Sequence, residues 1–151
     1  MRRADRAGRR ARPGAALSVA IATWLAALGC QTAGSAPAAA PFPLGGSAWR
    51  VDEIDGRRVQ DPGAPTLSFD GAQRVSGSSG CNRYTASLTA AGSGLRAGEV
   101  AMTRMACSPA VMELESRFVT ALAAVRSYRL AGDALELVDE SGRLRLRLSR
   151  S

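Results

Sequence analysis

The spacing of apolar residues changes once along this chain, and that change limits the folds open to it. Between Ser108 and Val125 the apolar side chains recur every three or four residues, which is the period of a helix with one buried face. On both sides of this segment apolar and polar residues alternate in short runs, as in half-buried strands. The pattern predicts an α+β fold in which about seven or eight short strands form a curved, mostly antiparallel sheet packed against one helix.

The predicted helix has recognisable features at its start. Ser108 is a suitable N-cap, and Pro109 suits the first helical position. Glu113 and Glu115 lie early in the segment, where the helix dipole favours negative charge. The apolar stripe, which we expect to face the core, consists of Val111, Leu114, Phe118, Leu122 and Val125.

The first 29 residues have the composition of an export signal. Six arginines precede a run from Ala15 to Leu28 that is apolar apart from two hydroxyl residues. As a helix this run spans about 21 Å, which is less than the roughly 30 Å of a bilayer core. We therefore expect a secretory signal rather than a membrane-spanning helix.

Cys30 follows Gly29 in a sequence that resembles the bacterial lipobox, although Ala27 stands where leucine is usual. The resemblance implies cleavage before Cys30, a diacylglycerol group on its sulfur and acylation of its amino group. Two or more acyl chains anchor a protein firmly. Gln31 after the cysteine implies sorting to the periplasmic face of the outer membrane if the source is Gram-negative. Cleavage of an ordinary signal peptide nearby is the alternative.

Residues 30–47 are rich in proline and small residues. Such a segment buries little apolar surface, so we expect a flexible, lipid-anchored linker. The predicted organisation is therefore a signal peptide over residues 1–29, a linker over residues 30–47 and a folded domain over residues 48–151.

The formal net charge of +7 does not indicate a nucleic-acid partner. Residues 1–29 hold six arginines against one aspartate and so contribute +5, which leaves +2 for the remainder. The remainder shows no basic stripe with interleaved aromatic residues. We expect no nucleic-acid binding.

Cys81 and Cys107 are the two remaining cysteines, and an exported domain meets oxidising conditions. A disulfide between them would contribute about 3–4 kcal/mol in the chain-entropy model. Their spacing is unlike a C-x-x-C redox pair, and two cysteines without histidine are too few ligands for structural zinc. We expect a structural disulfide, with two buried thiols as the alternative, and neither a metal site nor a cofactor.

Candidates for catalysis are few. The chain has no histidine and no lysine, which removes the commonest general base and the usual partners of a serine nucleophile. Acidic residues crowd two predicted turns, at residues 52–55 and 139–140, where we expect solvated carboxylates. The arginines of the alternating run Leu144–Leu148 are expected to face solvent. No catalytic residue is predicted.

Two motifs together resemble the META domain, or HslJ-like, family. The first runs from Gly77 through Gly80, Cys81 and Asn82 to Tyr84, and the second contains Thr103, Met105 and Cys107 before the helix. The closing run from Gly132 to Asp139 also fits. We expect the two glycines to let the backbone bend beside Cys81. The chain departs from the family at Ala86 and Leu88, where a glycine and an aromatic residue are usual.

The resemblance implies a small exported or lipid-anchored bacterial protein linked to stress tolerance, antibiotic sensitivity, motility or secretion, with no set of catalytic residues. The expected function is a non-enzymatic envelope lipoprotein that binds another envelope component. One alternative is an exported inhibitor of a hydrolase such as lysozyme or a protease, using an exposed loop such as residues 55–65. Another is a pilotin-like protein that binds a lipid or another hydrophobic ligand between the helix and the sheet.

Overall fold

The computed structural model describes residues 41–60 and 63–151, which form nine strands and one helix. From residue 41 onward they belong to one compact unit with a single hydrophobic core. In chain order the elements are β1 (Ala48–Ile54), β2 (Arg57–Arg58), β3 (Thr66–Asp70), β4 (Arg74–Ser78), β5 (Arg83–Ala91), β6 (Gly94–Met102), α1 (Pro109–Ala124), β7 (Ser127–Ala131), β8 (Ala134–Val138) and β9 (Leu144–Arg150).

Most strands follow the predicted alternation because one side of the strand faces the core. In β5 the side chains of Tyr84, Ala86 and Leu88 are buried, and the residues between them are exposed. The α+β fold class is confirmed. The strand count is slightly higher than predicted because β2 has only two residues, too few to show a periodic signal.

The sheet closes on itself. All neighbouring strands are antiparallel, and besides the order β2-β1-β3-β4-β5-β6-β7-β8-β9 the first strand pairs with the last. One edge of β1 pairs with β9, and the other edge is shared between β3 and β2. The result is a barrel in which β6 and β7 are joined by a single register pair, Gly94 with Ser127.

The helix α1 lies between β6 and β7 in the chain and packs against β6, β9 and β1. Its buried residues are Glu115, Phe118, Ala121 and Leu122. The ring of Phe118 lies 5.3 Å from that of Tyr84 in the barrel interior. Ser108 stands at the N-cap as predicted, but its side chain makes no capping hydrogen bond.

The dipole argument for the acidic residues of α1 is wrong, because the first turn contains no acidic residue. Glu113 is exposed, whereas Glu115 is buried.

The packed domain begins before residue 48, the predicted boundary. Leu44 is only 1% exposed, and the ring of Phe42 packs edge-on against Phe69 and Tyr128, each at 6.0 Å between centroids. The described part of the predicted linker, residues 41–47, therefore belongs to the fold. The predicted signal peptide, Cys30 and residues 31–40 lie outside the described residues, so predictions for them stay predictions.

The arginines of β9 do not simply face solvent as predicted. Arg147 and Arg129 both pair with the buried carboxylate of Glu136. Hydrogen bonds from Arg129 and Arg147 hold the pKa of Glu136 below its ordinary value despite its burial. Strand register places further charged residues beside this contact. Together they form a row of alternating charge on the outside of the barrel, in the order Arg129, Glu136, Arg147, Glu53 and Arg58.

In the described part of the chain no helix has the length and hydropathy needed to cross a membrane.

Candidate functional site

Both sequence motifs meet at one end of the barrel. Residues 79–82 connect β4 to β5, and residues 103–108 connect β6 to α1. Cys81 and Cys107 form a disulfide across these loops with a Cα–Cα distance of 6.0 Å, which confirms the predicted pairing. We call the two loops together with Glu115 of α1 the motif cluster.

Glu115 ties the helix to the first loop. One carboxylate oxygen accepts the backbone N–H of Asn82 at 3.0 Å and the hydroxyl of Ser79, and the other accepts the side-chain amide of Asn82 at 2.9 Å. Burial alone would raise the pKa of the Glu115 carboxyl, but these hydrogen bonds outweigh it and hold the pKa below its ordinary value. The carboxylate is therefore charged and fully engaged inside the fold.

Asn82 ties the first loop to the second. Its side-chain oxygen accepts the hydroxyl of Thr103 at 2.7 Å and the backbone N–H of Met105 at 2.8 Å. Its amide nitrogen lies 3.5 Å from the carbonyl oxygen of Met105, in addition to the bond to Glu115. A buried asparagine with a partner on each polar atom meets the requirement that buried polar groups be satisfied. Asn82 and Thr103 are thus structural members of the motif.

Gly77 and Gly80 are glycines for different reasons. A Cβ on Gly77 would lie 2.0 Å from the carbonyl oxygen of Thr66, so the close approach of two backbones excludes any side chain there. Gly80 has a φ of +111°, a conformation that side-chain-bearing residues rarely adopt. The predicted bend beside Cys81 is therefore found at Gly80. At Gly77 the prediction was wrong, because glycine is required there by the close approach to Thr66.

Tyr84 also contacts the backbone of Thr66. Its hydroxyl donates to the Thr66 carbonyl oxygen at 2.9 Å, and burial raises the pKa of the phenol. The Thr66 carbonyl is thus held between the Gly77 backbone and the Tyr84 hydroxyl. This contact makes both residues part of the packing between β3, β4 and β5.

Met105 differs from the other motif residues because its side chain points outward. It is 60% exposed although Asn82 holds its backbone. It lies in the loop that ends at the disulfide. The motif cluster therefore presents one large apolar side chain to solvent on a fixed backbone.

In the two predicted acidic turns, at residues 52–55 and 139–140, carboxylates contact neighbouring side chains. Asp55 lies 3.0 Å from the Arg145 guanidinium, and Asp52 accepts the Ser149 hydroxyl at 3.1 Å. Hydrogen bonds from Ser141 and then from Arg143 lower the pKa of Asp139 to about 2. Across residues 41–60 and 63–151, no three His, Cys, Asp or Glu side chains are grouped so that they could hold a metal ion.

Sequence reasoning missed Ser79 and Glu115 as members of this site. A signal for Glu115 was present, since it lies four residues after Val111 and three before Phe118, inside the apolar stripe. A carboxylate at such a position must find donors in the core. Ser79 gave no comparable signal, because its role depends on the loop geometry.

Comparison with known proteins agrees with the motifs. The family model described as META domain matches residues 42–151. A solved NMR structure of a protein from Burkholderia xenovorans is 26% identical with a TM-score of 0.57, and the match covers 78% of this chain and 96% of that one. A second NMR structure is 27% identical with a TM-score of 0.56, covering 70% and 90% of the two chains.

A crystal structure of a DUF4847 family protein from Bacteroides vulgatus has a TM-score of 0.53. At 14% identity over 71% of this chain and 94% of that one, it shares the fold alone. No curated protein matches the chain significantly.

Proposed function

The chain belongs to the META domain family, and from this premise we propose that it is a non-enzymatic binding protein of the bacterial cell envelope, held at a membrane by acyl chains on Cys30. Its proposed task is to bind another envelope component through the loop that carries Met105, and so to support the envelope under stress.

The observation that carries the binding role is the exposed side chain of Met105 on a loop that the fold holds in place. Asn82 binds its backbone, and the disulfide holds the end of the same loop. Binding costs less when the contact loop is already ordered, because little chain entropy is lost. A flexible thioether side chain suits a protein partner, since methionine adapts its shape to the surface it meets.

The non-enzymatic part of the proposal is supported by how the polar groups of the motif cluster are used. Ser79, Asn82 and Glu115 bind one another inside the fold rather than at an open cleft. A general acid or base needs a proton-accepting atom within reach of a substrate. The buried carboxylate of Glu115 is instead occupied by three donors of the chain itself.

The anchor rests on the sequence around Cys30, and intact mass tests it. The full-length protein, extracted from bacterial membranes in detergent, should have the mass of a chain that starts at Cys30 plus its acyl groups. A Cys30→Ser chain should lack them. A wild-type mass equal to an unmodified chain contradicts the anchor.

Photo-crosslinking in living cells tests the binding surface. A photoreactive residue in place of the exposed Ala106, beside Met105, should give one discrete protein adduct, and the same group at the exposed helix residue Thr120 should not. Adding Met105→Ser to the Ala106 variant should reduce the adduct several-fold, because the apolar contact is lost. Equal adducts at both positions, or an adduct indifferent to Met105→Ser, would contradict the proposed surface.

No specific observation favours either alternative function. Arg57 and Arg58 pair with β1 in a short hairpin, so part of the loop considered for hydrolase inhibition lies along the barrel. Between helix and sheet, where a hydrophobic ligand was considered, Phe118 and Leu122 are packed into the core. We therefore retain binding through the Met105 loop as the proposed function.

A further inference from the structure

The chain enters the packed domain at the end of the barrel away from the motif cluster. β5 runs from Arg83, next to the motif cluster, to Ala91, and its nine residues span roughly 30 Å at about 3.3 Å per residue. At that far end residues 41–43 line a mainly apolar groove. Its other lining residues are Ala72, Ala90, Gly92, Ser93 and Tyr128. We call this end of the barrel, with residues 41–43, the amino-terminal rim.

The amino-terminal rim carries an exposed apolar tip. Leu130 is 51% exposed and lies two residues after Tyr128, so the two side chains share one face of β7. Tyr128 in turn packs on Phe42. Because β6 begins at Gly94, which pairs with Ser127, residues 129–131 project beyond the β5–β6 turn.

The short chain length between Cys30 and the rim favours the bilayer as the partner of this tip. Only residues 31–40 separate Pro41 from Cys30, and ten residues reach at most about 35 Å. If Cys30 is acylated, this rim is thus the end of the domain that is attached to the lipid and within reach of it. Tethering of this kind raises the effective concentration to the millimolar range, so a weak contact is enough to orient the domain.

A second copy of the chain fits the tip less well. Stable protein interfaces bury roughly 1,200–2,000 Å² in total. Leu130 with the half-buried Phe42 and the exposed Pro41 offers only a small apolar area. An apolar tip of this size suits partial insertion into the headgroup region of a bilayer, as do the anchoring residues of interfacial proteins.

We propose that the amino-terminal rim docks on the bilayer surface, with Leu130 as its apolar contact, so that the motif cluster points away from the membrane. This inference rests on the membrane anchor of the proposed function. It assigns a lipid-binding surface at one end of the barrel, separate from the loop that carries Met105.

Vesicle binding by the chain from residue 31 onward tests the docking surface without the acyl chains. This fragment contains the whole described compact unit and lacks Cys30. It should float with phosphatidylethanolamine–phosphatidylglycerol vesicles at high lipid concentration. Leu130→Ser should weaken partitioning roughly three- to tenfold, as expected for losing part of a leucine side chain's transfer free energy. Met112→Ser, which changes an exposed apolar residue near the start of α1, should leave partitioning unchanged.

Tryptophan quenching gives the orientation directly. Brominated lipid should quench the fluorescence added by Leu130→Trp but not that added by Met112→Trp, with the buried Trp49 as a constant background. Phosphatidylcholine vesicles in a parallel sample separate apolar insertion from attraction to anionic headgroups. Binding to both lipid mixtures supports insertion of Leu130, whereas binding that needs the anionic lipid and ignores Leu130→Ser overturns it.

The two proposals fail in different ways. No vesicle binding, or equal quenching at both positions, overturns the docking surface and leaves acylation of Cys30 standing. An unmodified intact mass of the full-length protein overturns the anchor and leaves the vesicle result standing. Thermal unfolding of each variant shows whether a loss of binding comes from a loss of fold.

Discussion

At the scale of single residues, the buried carboxylate of Glu115 is the charged group of the motif cluster. Its carboxylate joins α1 to the loop between β4 and β5 through Ser79 and Asn82. Hydrogen bonds to a charged acceptor are stronger than those between neutral groups, and an unsatisfied buried donor costs free energy. The network therefore depends on one negative charge.

Replacing that charge is expected to destabilise the domain. Glu115→Gln keeps the shape of the side chain but replaces one acceptor oxygen with a donor, so it should lower the free energy of unfolding by about 1–3 kcal/mol. Urea titration followed by circular dichroism measures the change. Glu113→Gln, at an exposed position of the same helix, should change stability by no more than about 0.5 kcal/mol. Equal effects of the two changes would show that the network contributes nothing.

The same charge predicts how stability depends on pH. The pKa of Glu115 is lower in the folded chain than its ordinary value of 4.5. The stabilisation is therefore complete above pH 4.5 and is lost as the pH falls through the folded pKa. Urea unfolding at a series of acidic pH values should show this fall in the wild type and a shallower fall in Glu115→Gln. Parallel curves would assign the acid sensitivity to other groups, such as Glu136.

The close backbone approach at Gly77 predicts that a side chain there destabilises the domain. Gly77→Ala places a methyl group where the Thr66 carbonyl oxygen lies, so β3 and β4 must separate. We expect a loss of about 1–3 kcal/mol, typical of overpacking. Ser76→Ala, on the same strand, should cost about 0.5 kcal/mol or less. Equal urea midpoints for the wild type and Gly77→Ala would mean that the two strands can move apart without cost.

At the scale of elements, the two loops of the motif cluster are joined both by the disulfide and by Asn82. The sequence separation of 26 residues gives an entropic contribution of about 3–4 kcal/mol. The hydrogen bonds of Asn82 to Thr103 and Met105 close part of the same loop without the covalent bond.

Removing the disulfide is expected to weaken the domain without unfolding it. The Cys81→Ser, Cys107→Ser double variant should lose about 3–4 kcal/mol by urea titration. Wild-type protein with a reducing agent should lose the same amount, whereas the reducing agent should leave the double variant unchanged. An unfolded double variant in water would show that Asn82 and Glu115 cannot hold the loops alone.

Most elements were predictable from sequence because each has a local signal. The alternation in β5 and the stripe from Val111 to Val125 reflect a single buried face in each element. The pairing of β1 with β9 was not predictable, since it joins segments about a hundred residues apart and leaves no local pattern. The hydrogen-bond donors around Glu115 were not predictable for the same reason, because Ser79 and Asn82 come close to its carboxylate only in the folded chain.

At the scale of the whole molecule, the domain boundary depends on Leu44. Composition assigned residues 41–47 to a linker because prolines and small residues surround the few apolar ones. The fold nevertheless buries Leu44 and packs Phe42 on two rings. This segment fixes the point at which the chain leaves the barrel.

Truncation and substitution test the boundary. Leu44→Ala should cost about 2–4 kcal/mol, as for other buried leucines, whereas the exposed Leu130→Ala should cost about 0.5 kcal/mol or less. A chain that starts at residue 48 should melt below one that starts at residue 31. Identical melting temperatures for the two chains would show that residues 41–47 add no stability and belong to the linker.

The ring of strands also sets the order in which the molecule can be completed. β1 is the first strand to be made, yet one of its edges pairs only with β9, which is the last strand of the described residues. A growing polypeptide therefore carries an open seam until β9 has been made, and closure of the barrel waits for that strand. Long-range pairing of this kind slows folding, since the ends of a long loop must meet before any contact offsets the lost entropy.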